Sequence, residues 1–290
     1  MTKLLRADFM RLKKNRLFWL GVIFMFGLGL FVVFNTFYEN LKFPEFATSN
    51  PDFYFCLGAV FVGIAAAIFI AFFIGTEYGD GTVRNKLIAG HRRGDVYLSE
   101  LIVCTAASFI MHIAYLLVVI AGGVIFIGAF VTPLVCLIEI ALVSFISVLA
   151  STALFVMMAM LIPSKPASIA ALILASIFLL AASAFCYSKL SEPEYYDGYI
   201  ITAEDINFSE TEKVPNPGYP RGAWRKFYEF MFDFLPVGQM LQFSSRLSDI
   251  EPISQTALIP LILKFSGYSL ILTAASSACG IICFKRKDLK

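Results

Sequence analysis

Eight residues, Glu77, Tyr78, Gly81, Thr82, Arg84, Asn85, Lys86 and Leu87, are concentrated in the short string EYGDGTVRNKL. The stretch that holds them, between two long apolar blocks, is too long and too patterned to be a simple turn. Gly79 and Gly81 loosen the chain here, and Thr82 can cap a helix of one or two turns in which Val83 and Leu87 share a face. Gly90 is a plausible stop. Such a helix, with one apolar stripe and a polar remainder, is shaped to dock in a groove; the plainer reading is a solvated basic loop.

Other chemistry is sparse. Glu139 and Lys264 are the charges set within apolar blocks, and intramembrane charges mark functional positions by default. The sharper reading is that they pair or line the outer part of a substrate path; the plainer is that, only about 10 Å below the outer surface at 1.5 Å rise per residue, Lys264 snorkels and Glu139 reaches water or is protonated. His91 and His112 have no Glu-x-x-His or Cys neighbour, so no metal site is expected, and His112 reads as a hydrogen-bonded residue between helices. The six cysteines (Cys56, Cys104, Cys136, Cys186, Cys279 and Cys283) fall in or beside apolar blocks without a CxxC pair, so they read as packing side chains. No GxxxxGK[ST] loop and no HExxH or Ser/His/Asp constellation is present, so no catalytic residue is assigned. The sequon Asn207-Phe208-Ser209 is short enough to arise by chance.

The elements that must hold these residues are membrane helices. Of the 290 residues, 59% are hydrophobic and 15% charged, with a mean hydropathy of +0.78, well above a soluble composition. A water-soluble enzyme and a nucleic-acid-binding module are thereby excluded, and a net charge of +2 gives no reason to expect a nucleic-acid partner. A 30 Å bilayer core needs about 20 apolar residues, and six blocks meet that length: 17–38, 53–75, 101–130, 134–162, 167–187 and 257–284. The expected fold is an all-α membrane protein, one transmembrane domain over 1–290. The basic leader is not read as a signal peptide, because the apolar run after it is long, bulky and lacks a small-residue cleavage site.

Orientation follows from the basic residues. Fifteen Lys and Arg fall on the side of the amino-terminal arm, the 76–98 segment and the tail, against seven on the other side. Both termini are therefore expected in the cytoplasm. In the arm (1–16), Leu5, Phe9 and Leu12 fall on one face among basic residues, which fits a helix lying on the lipid surface. The large outer segment (188–254) reads first as loop or short strands. Its second half reads as an amphipathic helix with Phe227, Phe230, Met231 and Phe234 on one side, before Pro236 and Gly238 turn the chain.

The string FFIGTEYGDGTVRNKLIAGHRRGDVYLSE resembles the cytoplasmic segment of ABC-2 type permeases, the membrane subunits of ATP-binding-cassette transporters. The likeness rests on Glu77, Tyr78, Gly81, Thr82, Arg84, Asn85, Lys86 and Leu87. The basic arm, the six spans, the outer segment before the last span and LPVGQM at 235–240 agree in layout. Within that family the chain looks most like the permeases of bacterial exporters linked to peptide antibiotics and their resistance. The resemblance implies a bacterial cytoplasmic membrane protein that moves a hydrophobic or amphipathic substrate. It implies two further partners, a separate ATP-binding subunit that holds the ATP and Mg and a second permease copy or sister permease. The eight residues would form the coupling helix that meets the ATPase, with Arg84 and Lys86 facing acidic groups on it. A different class is a membrane sensor or immunity protein that binds a peptide at the outer segment without moving it.

Overall fold

A computed structural model describes residues 1–46, 51–201, 208–247 and 255–287, and for 46, 197–201 and 208–212 the backbone alone. The sequon at Asn207 lies outside the described residues. Helix α1 (Thr2–Lys14) ends at Asn15, whose side chain accepts the Phe18 backbone N–H at 3.1 Å and so starts α2 (Arg16–Lys42). The second span is built from α3 (Asp52–Phe55) and α4 (Leu57–Gly79), followed by α5 (Thr82–Ile88), α6 (Arg93–Phe126), α7 (Leu134–Leu161) and α8 (Lys165–Leu190). Strands β1 (Tyr195–Ile201) and β2 (Phe208–Pro215), then α9 (Ala223–Phe234) and α10 (Pro236–Leu247), precede α11 (Gln255–Arg286).

Six of these helical segments are long and apolar enough to cross a membrane, in agreement with the hydropathy blocks. Their ends differ. The third span begins at Arg93 rather than at 101, because the polar turns before the apolar block continue the same helix and pack on α1. The all-α expectation has one exception among the described residues, the antiparallel hairpin β1–β2, which takes up the part read as loop or short strands.

The span α3–α4 is the axis of the bundle: 72% of its apolar window is buried, against 17% for α11. Its sequence explains why. Small residues let neighbouring helices approach closely; at Gly58 an added Cβ would sit 2.1 Å from the Tyr115 ring, and Ala66, Ala67 and Ala71 are fully enclosed. At the hairpin end, α9 and α10 are two separate helices. Trp224, Phe227 and Phe230 of α9 are exposed, while Phe232 is the residue it buries. Helix α10 instead inserts among α3, α4, α7 and α8. Ser147 Oγ donates to the Pro236 carbonyl and Ser244 Oγ to that of Phe53, both at 3.0 Å. Gln239 donates to the Asp233 carbonyl and accepts from Ser269 Oγ at 2.8 Å. Gly238 is required where it stands: a Cβ there would lie 2.3 Å from the Phe232 carbonyl oxygen.

The face of the bundle opposite the hairpin gathers α1, α5 and the end of α11. Arg93 fixes this arrangement by donating to the carbonyls of Phe284 and Lys285, at 3.1 and 3.0 Å, and to that of Lys287.

Candidate functional site at the α5 face

After α4 ends at Gly79, the chain reverses through Gly81, whose φ of 68° lies in the left-handed region that favours glycine. Gly81 is the N-cap of α5; Thr82, expected to cap, is the first helical residue and makes no side-chain cap bond. The helix stops as expected near Gly90, at φ 88°. The Gly90 N–H meets the Leu87 carbonyl at 3.0 Å and the His91 N–H that of Lys86 at 3.2 Å, the pair of reversed bonds that closes a helix on glycine. Val83 is buried and Leu87 packs beside it against the core. The apolar stripe of α5 thus faces the chain's own bundle, and the surface left outward carries Arg84, Asn85 and Ile88.

Lys86 does not face outward. Its Nζ donates to Asp8 Oδ1 of α1 at 2.9 Å, Glu77 Oε1 of α4 at 2.6 Å and Glu100 Oε1 of α6 at 2.8 Å. Arg11 joins from α1, pairing with Glu77 and, at 3.2 Å, with Glu100 Oε2; its guanidinium lies 3.7 Å from the Phe73 ring centroid. Ser99 Oγ donates to Asp8 Oδ2 at 2.6 Å. Asp8, Glu77 and Glu100 are all buried. Their oxygens lie within 4.8 Å of one another, close enough to share a cation, and the chain supplies one itself in the Lys86 ammonium. The reason Lys86 turns inward is electrostatic: three carboxylates removed from water require compensating positive charge.

The knot sets which stripe of α1 turns toward the bundle. The residues that α1 buries are Leu4, Asp8 and Leu12, while Leu5 is half-buried against the core and Phe9 is exposed. The buried stripe is turned because Asp8 is drawn to Lys86. Asp8, Arg11, Ser99 and Glu100 were missed as site residues. The available signal was that Asp8 is the one acid in a basic arm, spaced four residues from both Leu4 and Leu12. A cleft of about 400 Å³ lies between α1 and α5, above Asp8, Arg11, Glu77 and Lys86.

Tyr78 makes a second tie. Its hydroxyl donates to the Met160 carbonyl of α7 at 2.6 Å, and Lys287 donates to the Tyr78 oxygen at 3.1 Å and to the same carbonyl at 2.9 Å. Partial burial lowers the Lys287 ammonium to a pKa of about 8. The Glu77-Tyr78 dipeptide is thereby connected both to the knot and to the end of α11.

Glu139 and Lys264 are not brought together. Glu139 accepts from Gln255 Nε2 at 3.2 Å, whereas Lys264 pairs with Asp233 of α9. The pairing fails because α9 places a nearer carboxylate beside Lys264, and Gln242 of α10 holds that carboxylate from its other oxygen at 3.1 Å. His112 is buried between α6 and α7 with Nε2 2.9 Å from Ser144 Oγ, the interhelical role expected. All six cysteines are free thiols, Cys279 and Cys283 exposed and the other four buried.

A family model described as ABC-2 family transporter protein matches residues 4–182, from α1 through most of α8. No curated protein matches the chain. The chain belongs to the ABC-2 transporter family. It is a multi-pass membrane component of an ABC transporter, a permease rather than an enzyme, and the family implies an ABC ATP-binding partner.

Proposed function

We propose that the chain is the permease of a bacterial exporter that moves a hydrophobic or amphipathic substrate, of the peptide-antibiotic kind, out across the cytoplasmic membrane. A separate ATP-binding subunit holds the ATP and Mg, and a second permease copy or a sister permease completes the pathway. In this reading α1, α5 and both termini are cytoplasmic, in keeping with the basic residues counted on that side. Helix α5 is the coupling helix, and its outward surface, led by Arg84 and Asn85, meets the ATPase.

The observation that carries the reading is the division of labour within α5. Lys86 fastens the helix to α1, α4 and α6, while Arg84 and Asn85 remain exposed. A seven-residue helix bound only by apolar contacts could slide when pushed. One fastened by buried charge transmits a displacement to three helices at once, because packed interfaces shift between discrete arrangements instead of deforming continuously.

The test is recovery of an ATP-binding-cassette subunit with the tagged chain from its native host, together with the Arg84→Glu variant. That variant is expected to fold and to sit in the membrane at the parental level, with hydrolysis no longer coupled to substrate movement. Unchanged coupling would remove Arg84 from the contact. A well-folded chain that brings down no ATP-binding subunit, even after crosslinking, would return the sensor or immunity reading to the front.

A further inference from the structure

The side of the chain that carries the hairpin is acidic, with fourteen Asp and Glu against seven Lys and Arg. Four of those seven cations, Lys189, Arg221, Arg225 and Lys226, are nevertheless gathered where the end of α8 meets the start of α9. Lys189 and Arg221 line an open basin of about 320 Å³ walled by Tyr219, Trp224 and Tyr228. Among the described residues neither cation has an acidic partner. Glu192, the nearest acid in sequence to Lys189, is held elsewhere: its Oε2 accepts from Asn216 Nδ2 at 3.0 Å and from the Tyr196 hydroxyl at 3.3 Å.

The basin is built in advance of any ligand. Asn216, 3% exposed, also donates to the Pro193 carbonyl at 2.9 Å and accepts the Gly218 N–H at 2.7 Å, so the turn under the basin is fixed by one buried side chain. Arg225 is committed to Glu229 at 3.1 Å and lies 4.9 Å from the Tyr219 ring centroid, where it steadies that wall. Tyr228 packs edge-on against Phe185 of α8, with ring centroids 5.9 Å apart. The aromatic wall therefore runs from the two cations toward the flank of a membrane-spanning helix. Two cations with no acidic partner among the described residues, beside aromatic rings in one basin, match an anionic head on an apolar body: a guanidinium fits phosphate or carboxylate oxygens in its plane, and the rings cover apolar surface.

We propose that this basin binds an amphipathic anion, its phosphate or carboxylate seated between Lys189 and Arg221 and its apolar part laid along Trp224 and Tyr228 toward Phe185. A phospholipid of the adjoining leaflet and a transported amphiphile share that chemistry. The site stands independently of the transport reading.

The chain has two tryptophans, Trp19 and Trp224, so Trp19→Phe leaves a single reporter in the basin wall. The experiment titrates this variant, purified in a non-ionic detergent, with dihexanoyl phosphatidylglycerol, dihexanoyl phosphatidylcholine, decyl phosphate and inorganic phosphate, reading Trp224 emission. The anionic lipid is expected to shift the emission to the blue and to saturate about tenfold more tightly than the phosphatidylcholine, one decade being the modest end for a charge-assisted contact. The double change Lys189→Gln and Arg221→Gln is expected to abolish that preference. Saturation by phosphatidylglycerol but not by decyl phosphate assigns the site to lipid; equal saturation by both assigns it to amphipathic anions at large, and either result supports the proposal. Equal responses to the two lipids, a preference that survives the double change, or inorganic phosphate binding as tightly as the anionic lipid would each overturn it. Should the double variant fail to fold, Arg221→Gln alone, at an exposed position, serves the same comparison.

Discussion

Charge is used in opposite ways at the two faces of this molecule. At the α5 face, five charged side chains from four helices share one buried knot, with Glu100 at 0% and Glu77 at 2% exposure. At the hairpin face, Asp233 and Lys264 join α9 to α11 with Lys264 44% exposed. In the first place the three carboxylates are buried, so a lost partner leaves charge away from water; in the second Lys264 is open on one side, near enough to the surface for its ammonium to reach water. The contrast separates a tightly held junction from a more open contact, and it follows from burial rather than from the number of ion pairs.

The largest effect is expected from Lys86→Met. Glu77 and Glu100 would keep Arg11 as their one cation and Asp8 would keep only the Ser99 hydroxyl, and breaking a buried ion network in this way costs about 3–5 kcal/mol. Thermal unfolding in detergent should show a large drop, or no folded protein at all. A loss below about 1 kcal/mol would mean that the knot behaves like a surface pair, and the contrast between the faces would disappear. Next in size is Gly238→Ala, where the new Cβ meets the Phe232 carbonyl oxygen; overpacking of this kind costs about 1–3 kcal/mol. The same unfolding measurement checks it, and a neutral result would show that α10 is not wedged as tightly as its burial indicates.

Lys264→Ala should cost no more than about 1 kcal/mol, and high salt should reduce that difference further. A loss as large as that of Lys86→Met would make the two faces equivalent. The smallest effect concerns Lys287. Its pKa of about 8 in the docked tail lies below the usual lysine value of about 10.4, so between those two values the undocked state binds more protons. Docking of the tail on Tyr78 and Met160 should therefore strengthen as pH rises through that window and be weakest below pH 8. Titration of a dimethylated Lys287 by NMR should give a midpoint near pH 8, and a midpoint at the free-lysine value would mean that the tail is not buried. Tyr78→Phe should leave the midpoint nearly unchanged, because the cause is burial rather than the hydroxyl.

Much of this architecture was legible in the chain. Six apolar blocks became six helices long and apolar enough to span a membrane, because a run of about 20 apolar residues has few other stable outcomes when backbone groups must be satisfied internally. The short helix after the second span and its glycine stop were legible for a local reason: Gly81 and Gly90 adopt positive φ, which other residues resist. The facing of α5 and α1 was not. Periodicity locates a stripe, but Leu5-Phe9-Leu12 and Leu4-Asp8-Leu12 are adjacent stripes on one helix, and hydrophobicity does not point to the one that carries an acid into the bundle. Asp8 is buried because Lys86, 78 residues away, compensates it. The pairing of Glu139 with Lys264 failed for a similar reason, since depth in the membrane says nothing about which carboxylate a third helix will bring closer.

Composition and spacing were sufficient for membrane residence, the number of spanning-length helices and the segment where α5 would form, because each depends on free energies summed along a local stretch of chain. Which side chains of that segment face inward, that Arg84 is left outside while Lys86 is enclosed, and that α10 fills the bundle were settled when distant helices met. Compensation of a buried charge is a property of all the groups around it, and those groups come together only in the folded molecule.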